Sequence, residues 1–87
     1  MVVVIFTRAG YEDMRQLVSS ARPPVWMTGA VISELEIAEL RGIGVDLTTF
    51  SLAIDPADPD GIEAALSIVA MHHPNGRLWV EIQAREL

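Results

Sequence analysis

The stretch VVVIFTRAGYED, residues 2–13, decides how this chain is read. Val2 to Phe6 is an unbroken apolar run rich in β-branched side chains, which suits a strand covered on both faces. Thr7, Arg8, Ala9 and Gly10 then read as a turn. From Tyr11 the period changes. Tyr11, Met14, Leu17, Val18 and Ala21 recur at helical spacing, with Glu12, Asp13, Arg15 and Gln16 on the other side.

The same grammar repeats outward from there. Pro23-Pro24 stops the first helix near residue 21. Val25 to Thr28 reads as a short second strand closed by Gly29. Ser33 and Glu36 have capping-box spacing and start a helix carrying Leu35, Ile37, Ala38 and Leu40. Gly42 or Gly44 ends it in the left-handed conformation. Val45 to Ile54 is the third strand, rich in Val, Leu, Thr and Phe.

Asp55-Pro56-Ala57-Asp58-Pro59-Asp60-Gly61 is a loop, with Asp60 as the cap of a third helix. Ile62, Ala65, Leu66, Val69 and His73 line one face of that helix, and Pro74-Asn75-Gly76 makes the next turn. Leu78, Val80 and Ile82 alternate with Arg77, Trp79, Glu81 and Gln83, the pattern of a strand with one wetter face. The tail from Ala84 to Leu87 reads as frayed. The order β-α-β-α-β-α-β predicts a small single α/β domain over residues 1–87. Its four-stranded sheet is mainly parallel, with right-handed crossovers and an exposed last strand.

Composition narrows what such a domain can do. Of the 87 residues, 51% are apolar, a surplus for a body that buries only a modest core. That surplus implies self-association or a partner protein, the alternative being scattered exposed Val and Ala. With no Cys there are no disulfides, thiolate metal sites or Cys nucleophiles. All six cations are Arg, so Schiff-base chemistry and a P-loop lysine are excluded. A formal charge of −6 argues against non-specific nucleic-acid binding. The apolar run at residues 2–6 is too short for a secretory signal, and no run approaches a membrane span, so the expectation is a soluble cytoplasmic protein.

Ligands of such sheets bind outside the carboxyl ends of the strands. The residues expected there are Thr7, Arg8, Thr28 and Asp55, which form the candidate small-molecule site; they are also ordinary turn and cap residues. A phosphate at a helix N-terminus is disfavoured, because the expected first turns already hold Glu12 and Asp13, Glu34 and Glu36, and Asp60 and Glu63. A single Gly after the first strand is also not a G-x-G-x-x-G fingerprint. Arg8 therefore reads better as a salt-bridge partner for a carboxylate such as Asp55.

Other chemistry finds no constellation. Aligning Gly61 with the glycine of a calcium loop puts Pro56 at the first ligand position and Ser67 where the bidentate Glu belongs. His72 and His73 point about 100° apart on a helix and do not converge on one ion, and one of them reads as a packed or helix-end histidine. No serine sits in a nucleophile elbow. Neither a metal nor a cofactor is expected.

Residues 34–63 hold eight carboxylates against Arg41 alone, which is either a face for a basic partner or a set of caps and a solvated loop. Arg77, Trp79 and Glu81 on the last strand are the candidate interface, Trp and Arg being enriched at interface anchors. The leading expectation is a non-catalytic interaction or regulatory module that pairs with itself or another protein. The alternatives are a minimal enzyme or small-molecule-binding domain at the strand ends, and an acidic inhibitor of a nucleic-acid-binding protein or toxin.

Overall fold

A computed structural model of the chain describes residues 1–28, 31–50, 54, 55 and 57–81. The elements run β1 (Val2–Ile5), α1 (Arg8–Ala21), β2 (Val25–Thr28), α2 (Glu34–Gly42), β3 (Leu47–Phe50), α3 (Pro59–His72) and β4 (Leu78–Glu81). The strands form one all-parallel sheet in the order β3-β2-β1-β4. The chain moves outward from β1 through β2 to β3, then crosses back to place β4 on the other side of β1.

That reversal puts helices on both faces, as right-handed crossovers require. Val3, Ile5, Val25, Met27 and Leu47 pack with Tyr11, Met14 and Val18 of α1 and Leu40 of α2. Val2, Val4, Phe6, Trp26 and Phe50 pack with Ala65 and Val69 of α3. β1 and β2 are therefore buried on both faces along their whole length, which is why both read as continuous apolar runs.

Helix ends follow local chemistry, with two differences from the sequence reading. α1 begins at Arg8 and not at Tyr11, because Thr7 is its N-cap and accepts the Gly10 N–H at 3.0 Å. Gly10 thus lies in the first turn, and Glu12 and Asp13 lie beyond it. α3 is capped by Asp58 and not Asp60: the Asp58 carboxylate accepts the Asp60 N–H at 3.2 Å, with Pro59 at the first helical position.

The capping box of α2 forms as expected between Ser33 and Glu36. Gly44, at φ +91°, makes the turn out of α2. The Val45 N–H reaches the Leu40 carbonyl and the Gly44 N–H the Arg41 carbonyl, the paired bonds of a Schellman motif. The third strand is described over Leu47–Phe50; Ser51 to Ala53 of the expected strand, together with Gly29, Ile82, Gln83 and the tail, lie outside the described residues.

Candidate functional site

The N-termini of α1 and α2 follow adjacent parallel strands, so their first residues meet at the carboxyl end of the sheet. Arg8 and Glu36 are the result. The Arg8 guanidinium grips Glu36 with two bonds, Nη1 to Oε1 at 2.8 Å and Nη2 to Oε2 at 3.0 Å. Its Nε donates to Glu12 at 3.0 Å and its Nη1 also to the Val31 carbonyl at 3.1 Å. The same guanidinium lies 5.1 Å from the centre of the Tyr11 ring.

Arg8 is therefore turned into its own protein. Its partners are Glu36 and Glu12, which corrects the expected pairing with Asp55; the Asp55 carboxylate instead accepts the Ala57 N–H at 2.9 Å. Of the other candidate ligand residues, Thr7 caps α1 and Thr28 is buried at the end of β2. A phosphate at the start of α1 meets not first-turn acids but a cation whose charge Glu36 and Glu12 already balance.

Glu36 joins two helix ends at once. It accepts from the Ser33 N–H, the Ser33 hydroxyl and Arg8. The Arg8 bond first, and then the Ser33 backbone bond, hold its carboxyl down at about 2, while Arg8 is raised. A depressed carboxyl contributes stability that is full above its unfolded value near 4.5 and is lost as pH falls towards about 2. An NMR titration is expected to show the Glu36 carboxyl ionised at pH 3.5, where exposed glutamates are mostly protonated. Titration together with those glutamates would contradict the clamp.

Both histidines pack against Trp26. The Trp26 indole N–H donates to His73 Nε2 at 3.3 Å. His72 Nδ1 lies 2.9 Å from the Ile68 carbonyl, and its ring packs 5.2 Å from that of Trp26. Trp26 also packs against Phe50, and Phe50 against Phe6, making an aromatic floor under α3. No group of three metal-ligating side chains occurs among the described residues. No described helix is long and apolar enough to cross a membrane.

The surface at β4 is of another kind. β4 is the sheet's outermost strand beside β1. Trp79, on the α1 face, is 51% exposed and Val80, on the α3 face, is 37% exposed. An open apolar groove of about 550 Å³ runs between α3 and β4, with Ile62, Leu66 and Ala70 on one wall and Leu78 on the other. The sequence placed Arg77 and Trp79 here from alternation alone. It did not show the groove, which lies where α3 meets Leu78 of β4.

At the opposite edge one outward backbone group is occupied. The Val25 N–H bonds the Asp46 carbonyl, so Asp46 and Thr48 turn towards β2 and Leu47 turns outward. The Arg41 guanidinium caps that outward Leu47 carbonyl at 2.9 Å. Searches against family models, curated proteins and solved structures find no match to this chain.

Proposed function

We propose that this protein is a non-catalytic association module that works as a homodimer joined through β4. One observation carries the reading. Among the described residues β4 is the outermost strand, flanked by exposed apolar side chains on both faces, while on the other edge of the same sheet Arg41 occupies the outward Leu47 carbonyl. Exposed apolar edge strands are templates for pairing, and proteins that stay monomeric blunt them with charge, Pro or cover.

The ligand-site reading has less support, because Arg8, the cation it needs, already holds two carboxylates. Sedimentation equilibrium tests the proposal. A dimer is expected at micromolar concentrations, and a monomer throughout would contradict it.

A further inference from the structure

The partner's register can be read from β4 itself. We infer that two copies pair antiparallel about a two-fold axis at Trp79, joining their sheets into one of eight strands. This rests on the association reading above and adds its geometry.

Backbone polarity comes first. The Val2 N–H bonds the Arg77 carbonyl at 2.7 Å, and Val2 is the register partner of Leu78. In a parallel ladder this turns the polar groups of residues 77 and 79 towards β1 and those of residues 78 and 80 outward. The outward N–H and C=O groups of Leu78 and Val80 are the ones a second strand can use.

The sequence of the strand supplies the second argument. Residues 77–81 read Arg-Leu-Trp-Val-Glu. In antiparallel pairing centred on Trp79, position 77 faces position 81 of the second copy, 78 faces 80, and 79 faces itself. Leu78 and Val80 are then the hydrogen-bonded pairs, each exchanging two bonds with its counterpart. The Trp79 pair is a non-hydrogen-bonded one, where side chains approach most closely.

Charge agrees with this register. Arg77 and Glu81 occupy mirrored positions of opposite sign, so both ends of the pairing match, and like charges never face each other. On the α3 face, Leu78 and Val80 of the two copies abut and the two apolar grooves become continuous. A centre shifted by one residue, to Leu78 or Val80, would still bond outward groups to outward groups but would set Arg77 or Glu81 opposite Trp79 and forfeit both charge pairs. A centre shifted by two would set Arg77 or Glu81 against itself.

The test uses two charge reversals and one introduced thiol. An Arg77→Glu chain has acids at both mirrored positions, and a Glu81→Arg chain has bases at both. Each alone is expected to self-associate about tenfold or more weakly than wild type. Mixed, they restore both pairs, and native mass spectrometry is expected to show heterodimer well above the random half.

The wild-type chain has no Cys, so an introduced one reacts only with itself. Facing Cα atoms at position 79 lie about 4.5 Å apart, within bridging reach, whereas the two copies of position 80 lie about 8 Å apart. Under oxidant Trp79→Cys is expected to cross-link and Val80→Cys to stay single. Suppose the wild type is dimeric but the charge variants assort at random and Trp79→Cys does not cross-link. That result overturns this register and leaves the association reading standing; a monomeric wild type overturns both.

Discussion

Truncating Ile5 to alanine is expected to lower the stability of the fold by about 2–5 kcal/mol, the range for emptying a fully buried aliphatic site. Ile5 is fully buried, in a central strand whose neighbours on both sides are strands. Its side chain shares a core cluster with Tyr11, Met14 and Val18 of α1 and with Met27 of β2. Such a site can collapse little, because the backbone on either side is fixed by parallel ladders.

A chain of 87 residues is stable by roughly 4–13 kcal/mol, so the change removes a large share of the total. The thermal midpoint is expected to fall by at least about 8 °C. Ile68→Ala, on the exposed side of α3, is the control and should change stability by no more than about 0.5 kcal/mol. Chemical denaturation of both variants checks the contrast. Equal losses would mean that the two-layer core is wrongly assigned.

The second large effect is on assembly. Val80→Pro is expected to weaken the dimer by a factor of about 5 to 150 while leaving the monomer folded. The Val80 N–H faces outward, so the β1–β4 ladder does not need it, and proline is tolerated on an edge strand at such a position. In the dimer that N–H is a donor in each copy. Losing two net hydrogen bonds, at about 0.5–1.5 kcal/mol each, gives the stated range. The proline ring also takes the space of the partner's carbonyl and pushes the loss towards the upper end. Sedimentation equilibrium measures the shift, and circular dichroism verifies the fold. An unchanged dimer would move the interface away from β4.

Much of this fold is legible in the sequence because its signals are local. The Val2–Phe6 run, the Ser33–Glu36 box and the alternation from Arg77 onward each act within a few residues, and each element forms where its pattern lies. The start of α1 differs from the expectation for the same reason. Gly10 looks like a turn residue, yet a Thr three positions earlier is enough to cap a helix that includes it. At α3, two aspartates compete for the cap, and Pro59 at the first helical position selects Asp58.

What is not local was not legible. Strand order depends on which crossover reverses, and no short pattern encodes that. The partner of Arg8 lies 28 residues away on another helix, and only the adjacency of β1 and β2 brings Glu36 to it. The groove beside β4 follows from where α3 lands, a consequence of packing. The charges flanking Trp79, by contrast, are plain in the sequence, and the register proposed for β4 gives them a role.

The most direct test of the β4 interface is amide hydrogen exchange at Leu78 and Val80 as protein concentration is raised. Their N–H groups point outward, so pairing with a second copy predicts that their protection increases as dimer replaces monomer. The Trp79 amide, bonded to β1, should stay protected throughout. If Leu78 and Val80 exchange as open amides at every concentration, β4 is not the interface.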